Sequence, residues 1–120
     1  MGRLDPASSN GTFYAAVYDR STLSWTLYSI VNSSKVSLGQ SAQTLTAGTT
    51  YRLALDMTGS TIRLLVNGAQ QVSVTNTAIT AAGRSGVAMG FGATSSTTAT
   101  DTTGIRTLDM VRAKPAALTV

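Results

Sequence analysis

The stretch TGSTIRLLVNGAQQVSV, residues 58–74, holds short apolar runs between two strong turn signals, Gly59-Ser60 and Asn67-Gly68. Side chains alternate between the faces of a strand, so the turn decides which residues share a face. A two-residue first turn gives three apolar pairs on one face, Met57 with Ile62, Leu55 with Leu64, and Leu53 with Val66. On the other face, Asp56 is predicted to lie opposite Arg63, an ion pair worth ~0.2–1 kcal/mol.

The second turn of this ribbon allows two registers. A two-residue Asn67-Gly68 loop would set Leu64 opposite the polar Gln71. A three-residue loop that includes Ala69 sets Leu64 opposite Val72 instead. We predict the three-residue loop, because it keeps the apolar face continuous across three strands.

Runs rich in β-branched and aromatic residues predict the other strands, at residues 13–19, 25–31, 35–38, 51–57, 87–91 and 105–112. Gly39 is expected to end the third of these, and residues 94–103 form a Ser/Thr-rich loop. The only helix candidate is a single turn at 77–83. One apolar sheet face needs a second layer, which strands 13–19, 25–31, 87–91 and 105–112 would supply.

The predicted fold is therefore all-β, an antiparallel two-sheet β-sandwich over residues 12–113. Residues 1–11 are predicted to be an N-terminal arm and residues 114–120 a C-terminal tail. A chain of 120 residues fits one such domain. Its 14 Ser and 20 Thr agree with this fold, because Thr suits a pleated surface.

Composition removes most kinds of catalytic chemistry. The chain has no Cys, no His and no Glu, which excludes disulfides, a Ser-His-Asp triad and a Cys/His zinc site. Nine Lys and Arg against five Asp give a formal charge of +4, but the basic residues are scattered. Nucleic-acid binders concentrate such charge on one stripe, so no nucleic-acid partner is predicted. No apolar run is long enough for a membrane span, and no membrane contact is predicted.

Three segments resemble one known family when they are taken in order: YRLALDMTGSTIRLLVNG at 51–68, AITAAGRSGVAMG at 78–90, and IRTLDMVRA at 105–113. The upstream FYAAVYDRSTLSWTLYSIVNSSKVSLG at 13–39 fits the same pattern. Together these segments resemble the concanavalin-A-like, laminin-G-like jelly rolls. The resemblance implies a jelly-roll sandwich. Family domains have further strands before the Tyr-rich strand, so this chain is expected to lack N-terminal strands and to expose sheet edges that seek partners.

The resemblance also implies a non-catalytic role, because hydrolases of this superfamily use paired Glu residues and this sequence has none. Its Ala/Thr/Gly/Ser/Arg-rich style is similar to domains of actinobacterial secreted proteins and of virion proteins of their phages. The N-terminus MGRLDPASSN lacks the apolar segment of a secretory signal, which favours the virion. We therefore predict an extracellular, virion-borne surface protein, a capsid decoration or minor tail component. Its edges and the terminal segments 1–9 and 114–120 would dock onto other virion subunits or further copies of itself.

Host-cell glycan is the predicted additional partner, because sugar sites combine an aromatic face with polar neighbours. The predicted ligand-binding residues are Tyr18, Asp19, Arg20, Trp25, Tyr28 and Asn32. Trp25 and Tyr28 fall on opposite strand faces, so one belongs to the core and the other to the surface, and Trp25 is the preferred core residue. The alternative function is a carbohydrate-binding module of a larger secreted actinobacterial enzyme or adhesin.

Two weaker interpretations rest on Asp109, in the closing strand. Members of the family carry a calcium site in this region, so Asp109 is the candidate ligand, and Ca²⁺ is the one metal that the residue types allow. No other cofactor is predicted. A small glycan hydrolase would need two carboxylates, and Asp19 with Asp109 is the pair to test.

Overall fold

The computed structural model describes residues 1–86, which form two antiparallel three-stranded sheets packed face to face. The first sheet has the order β1-β2-β3, comprising Phe13–Asp19, Ser24–Val31 and Ser34–Ala42. The second has the order β4-β5-β6, comprising Leu53–Thr58, Thr61–Val66 and Ala69–Thr75. This confirms the predicted all-β sandwich. The described residues contain no helix, so the single turn considered at 77–83 does not form. The predicted features at 87–91, 94–103, 105–112 and 114–120 lie outside the described residues.

Two-residue turns make three of the four connections within the sheets, and the β1–β2 connection, residues 20–23, has four residues. Asn32-Ser33 joins β2 to β3 with φ angles of 48° and 66°, and Asn67-Gly68 joins β5 to β6 with 51° and 81°. Both pairs have the positive φ values of a type I′ turn. Gly59 begins the β4–β5 turn at φ 58°, as in a type II′ turn. These turns match the natural twist of paired strands, so each hairpin is set locally.

The register of the β4–β5 hairpin is the predicted one. All three apolar pairs and the Asp56–Arg63 pair form across the two strands. On β5, Ile62, Leu64 and Val66 are buried, and the residues between them are half-buried. The face predicted to be apolar is therefore the face that meets the first sheet.

The β5–β6 hairpin keeps the predicted apolar pairing but reaches it differently. Leu64 lies opposite Val72, as predicted. The three-residue loop is wrong, because Val66 lies directly opposite Ala69 and the loop has two residues. The register then shifts between Leu64 and Leu65, which leaves Gln71 as an extra residue in β6. This β-bulge restores the apolar face that a plain two-residue turn would have displaced.

The third strand is longer than predicted. It runs over Ser34–Ala42, and Gly39 lies inside it instead of ending it. A Cβ atom on Gly39 would lie 3.0 Å from the Cγ1 atoms of both Val72 and Val74 on β6. A side chain here would crowd these two methyl groups, so glycine suits the close approach of the two sheets, which is its other common role in a strand. A second bulge, with Leu38 as the extra residue, precedes it.

The core lies between the two sheets. Its buried members come from both layers and from the segment after β6: Tyr14, Trp25, Leu27, Ile62, Leu64, Val66, Val72 and Ile79. Every buried polar side-chain atom in the described part of the chain has a hydrogen-bond partner. The Tyr14 hydroxyl donates to Asn76 Oδ1 at 2.7 Å and accepts from the Ile79 amide at 3.1 Å. This side chain therefore joins the first sheet to the chain that leaves the second.

Residues Met1–Asp5, called here the N-terminal strap, are bonded to their own chain. Gly2 pairs with Tyr14 at the outer edge of β1, and Leu4 pairs with Arg84. The arm predicted from the sequence thus begins with a short strand-like segment that extends the first sheet.

Truncation of a core side chain on β5 should cost far more than the same change at the sheet rim. Leu64 is 1% exposed and Leu53 is 53% exposed, although both belong to the same face of one hairpin. We expect Leu64→Ala to lower the free energy of unfolding by ~2–5 kcal/mol. Leu53→Ala should change it by under ~1 kcal/mol. Urea unfolding measures both, and equal losses would show that the sheets do not pack as described.

Candidate functional site

The six predicted ligand-binding residues lie in separate parts of the first sheet. Tyr18 and Trp25 point into the sandwich, whereas Tyr28 lies on the outer face. Asp19 and Arg20 lie where β1 ends, and Asn32 lies in the turn after β2. No single surface holds all six, so any ligand site uses only part of the set.

Tyr18 and Trp25 are structural neighbours. Their ring centroids are 4.9 Å apart, with the ring planes tilted by 55°. Trp25 is 4% exposed, and its indole Nε1 donates to Gln43 Oε1 at 2.6 Å. The Tyr18 hydroxyl donates to the Gln43 carbonyl at 2.9 Å and accepts from the Leu45 amide at 3.3 Å. The two rings therefore hold the chain beyond β3 against the core. Trp25 is a buried core residue, as predicted from the sequence.

Asp19 and Asn32 hold turns. The Ser21 hydroxyl and the Ser21 amide both donate to Asp19 Oδ1, at 2.6 and 2.8 Å, and these bonds lower the pKa of the Asp19 carboxyl. A carboxyl that keeps its charge is a poor proton donor, so Asp19 is not suited to act as a general acid. Asn32 has the positive φ of the β2–β3 turn, which explains an Asn at this position. Arg20 is exposed beside Asp19.

The outer face of the first sheet presents a small aromatic and apolar surface, called here the Tyr28 face. Tyr28 lies between Ala15 on β1 and Ser37 on β3 in the paired register. The Lys35 Nζ lies 4.6 Å from the centre of the Tyr28 ring, a cation–π arrangement. Val17, 45% exposed, lies one step along β1 on the same face. A ring, a methyl surface and a cation thus lie together on a rigid sheet.

Sequence reasoning found Tyr28 but missed Lys35 and Val17. Each lies diagonal to Tyr28, two residues from its direct partner on the adjacent strand. Diagonal neighbours are within reach of aromatic and long side chains. The Asn32-Ser33 turn sets Lys35 opposite Ile30, and the β1–β2 pairing sets Val17 opposite Thr26, so both follow from the strand register, which sequence reasoning did not derive for this sheet.

The outer face of the second sheet carries an ion pair. Arg63 donates through Nε to Asp56 Oδ2 at 3.1 Å and also through Nη2. Thr58 Oγ1 adds a third bond, to Asp56 Oδ1 at 3.0 Å. The bond from Arg63 is the main cause that lowers the pKa of the Asp56 carboxyl. Both side chains remain about a third or more exposed, so the pair is screened by solvent and is a weak ligand platform.

An open cleft of about 320 Å³ lies beside the N-terminal strap, lined by residues that include Arg3, Asp5, Thr12 and Ile79. The Arg3 guanidinium already donates to the carbonyls of Ile79 and Gly59, at 2.8 and 2.6 Å. Asp5 Oδ1 accepts from the Ala7 amide at 2.9 Å. The charged groups of Arg3 and Asp5 in this cleft therefore hold the local backbone.

Residues 1–86 contain no candidate metal centre. No group of three or more His, Cys, Asp and Glu residues comes together there. Asp109, the predicted calcium ligand and the partner proposed for Asp19, lies outside the described residues. In the described part of the chain, no helix has the length and apolar character needed to cross a bilayer.

Comparison with known proteins leaves the chain without an assigned family, since no family model, curated protein or solved structure matches it.

Replacing Asp56, the acidic member of the surface ion pair, should lower the free energy of unfolding by an amount that depends on pH. The folded-state pKa of Asp56 lies below its ordinary value of 3.8, so its contribution is complete well above pH 4 and is lost as the pH falls through the folded pKa. We expect Asp56→Asn to cost ~0.2–1 kcal/mol at pH 7. The difference from the parent chain should shrink as the pH falls below 3.8 and through the folded-state pKa.

Urea unfolding across that pH range measures the effect. Arg63→Gln is the matched control, because it removes the same pair from the other side and should show the same pH dependence. A difference that stays constant from pH 7 to pH 2 would show that the ion pair is not its cause.

Proposed function

We propose that this chain is a non-catalytic, laminin-G-like jelly-roll protein of a phage virion surface, either a capsid decoration or a minor tail component, that adheres to host-cell glycan through the Tyr28 face. The observation that carries the adhesion proposal is the placement of a half-buried tyrosine ring among small and polar neighbours on an outward sheet face. Sugars pack their C–H faces on such rings, while nearby polar groups bind their hydroxyls.

The sheet supplies a prepared surface for this role. Tyr28 lies on the central strand of the first sheet, with partners on both sides, so ligand binding requires little ordering of the backbone. Ser37 and Gln40 are exposed on β3, which adds polar groups near the ring. Adhesion by many copies on one particle would then multiply a weak single contact.

Lys35 indicates the kind of sugar. Its ammonium group lies over the Tyr28 ring, so a ligand that packs on the ring must move this group aside, and an anionic ligand keeps it paired when it does so. An acidic sugar, carrying a carboxylate or a phosphate, would satisfy both the ring and the cation. We therefore propose acidic cell-surface glycan as the ligand class.

The virion location rests on the sequence. Its support is the ordered resemblance to laminin-G-like domains and a composition with 12% charged residues and abundant Thr. The rival function, a carbohydrate-binding module of a larger secreted actinobacterial enzyme or adhesin, is favoured by the same Tyr28 face. The two differ in what the chain needs for its function: a module binds glycan by itself, whereas a virion subunit works within an assembly.

Loss of the Tyr28 ring should remove glycan binding without unfolding the sheet. Tyr28→Ala is expected to weaken binding to acidic cell-wall polysaccharide from an actinobacterium by about tenfold or more, a change of ~1.4 kcal/mol. Tyr28→Phe is the matched control, because it keeps the ring and should bind nearly as well as the parent. Lys35→Gln should weaken binding to acidic polysaccharide and leave binding to a neutral one unchanged.

Binding is measured by polysaccharide pull-down, with circular dichroism as the check on folding. If folded Tyr28→Ala binds as tightly as the parent chain, the Tyr28 face is not the adhesive surface.

A second experiment separates the virion protein from the module. We expect antibodies against this chain to label phage particles from the native source, with the chain present at a copy number set by particle symmetry. Detection only as part of a longer secreted polypeptide, together with glycan binding by an isolated folded monomer, would instead favour the carbohydrate-binding module.

A further inference from the structure

The N-terminal strap lies in a slot between two backbone segments. On one side, Gly2 and Tyr14 exchange both amide-to-carbonyl bonds, each 2.9 Å long. On the other side, Leu4 and Arg84 exchange a second pair, at 2.8 and 2.9 Å. The strap is therefore held as a strand is held in a sheet, by main-chain bonds that any extended segment could make.

The shape of the slot fits this strap closely. A Cβ atom on Gly2 would overlap the side chain of Met57 on β4. A Cβ atom on Gly83 would lie 2.6 Å from the carbonyl carbon of Arg3 and from the carbonyl oxygen of Leu4. The close fit is strictest at Gly83, where a side chain would meet the strap backbone, whereas a Cβ atom on Gly2 would meet only the end of the flexible Met57 side chain.

Arg3 fixes the strap in register. It has a φ of 50°, and its guanidinium donates to the carbonyls of Ile79 and Gly59 at 2.8 and 2.6 Å. Both acceptors are backbone atoms in segments that belong to the folded domain. Every copy of the chain presents these acceptors in the same way, so the strap of another copy would find the same partners.

Few side chains of the strap are buried, so side-chain packing does little to hold it in the slot of its own chain. Gly2 is its only buried residue, and Met1, Arg3 and Leu4 are half-buried. The connection to β1, residues 6–11, is mostly exposed and contains Pro6 and Gly11. Detachment therefore gives up hydrogen bonds more than apolar contacts, and those bonds re-form in full if an identical strap replaces the first.

An empty slot would leave the outer edge of β1 unpaired and would uncover Met57 and Leu55, which lie next to Gly2. Unpaired edges with apolar cover removed are the usual places where another chain adds a strand. We infer that the strap is an exchangeable strand, and that its slot receives the strap of a second copy of this chain. Strap exchange would be one contact between copies of this chain in the proposed virion. The inference rests on the proposed function only for the high local concentration of copies on a particle.

The test uses two full-length single-cysteine variants, Leu4→Cys and Arg84→Cys, in a chain that has no cysteine of its own. Partners in such a hydrogen-bonded antiparallel pair have Cα atoms about 5.5 Å apart, within the range that a disulfide spans. If each strap stays in the slot of its own chain, the thiol at position 4 faces Arg84, the thiol at position 84 faces Leu4, and no disulfide can form between these pairs. A mixed disulfide between the two variants requires a strap from one chain in the slot of the other.

The two variants are mixed, incubated, oxidised and separated on a non-reducing gel. We expect a dimer band several times stronger than that of a control mixture in which Ser73→Cys, exposed on β6, replaces Arg84→Cys. A dimer yield equal to the control overturns the inference, provided that the double variant Leu4→Cys/Arg84→Cys forms its disulfide within one chain. The result does not depend on glycan, so exchange and adhesion can fail separately.

A second measurement keeps the question answerable if a cysteine variant misfolds. We expect the unmodified chain to form a dimer whose fraction rises with concentration in light scattering, and a chain that lacks residues 1–5 to lose that dimer. A parent chain that stays monomeric at all soluble concentrations, or a dimer that persists without residues 1–5, overturns the inference.

Discussion

Tyr14 is the side chain through which the described layers meet. Its backbone pairs with Ser29 in β2 on one side and with Gly2 in the strap on the other. Its ring is fully buried between the sheets, and its hydroxyl holds both Asn76 and the Ile79 amide. Loss of this hydroxyl would leave a buried backbone donor without a partner, a penalty of ~1–3 kcal/mol. The core between the sheets, the exit from β6 and the pairing of the strap therefore meet at this one position.

The β4–β5 hairpin could be predicted from the sequence because everything that sets it is local. Gly59 determines the turn, and alternation then assigns every side chain to a face. The bulges at Leu38 and Gln71 could not be predicted, because no local sequence pattern marks the extra residue in either strand. Both bulged strands, β3 and β6, lie against each other across the sandwich, where Gly39 allows close contact. Propensity treats Gly39 as a strand end, whereas packing between the sheets requires a glycine there.

The candidate site shows the same division between local and long-range information. Sequence reasoning grouped Tyr18, Trp25 and Tyr28 because they are close along the chain. The sheet separates them, since two rings face inward to Gln43 and the third faces outward. The neighbours that matter to Tyr28 come from other strands. They are found through the strand register, and a motif of adjacent residues does not contain them.

The strap has a consequence for how the chain is made. Each sheet consists of consecutive strands joined by connections of two to four residues, so its pairing forms between near neighbours and is fast. The strap is different, because Met1 bonds to Gly86, 85 residues later. A ribosome releases the N-terminus first, so this segment leaves the tunnel long before its own wall exists. During that interval a finished neighbour on the same polysome is the nearest folded domain, so the strap exchange that we infer would begin during synthesis.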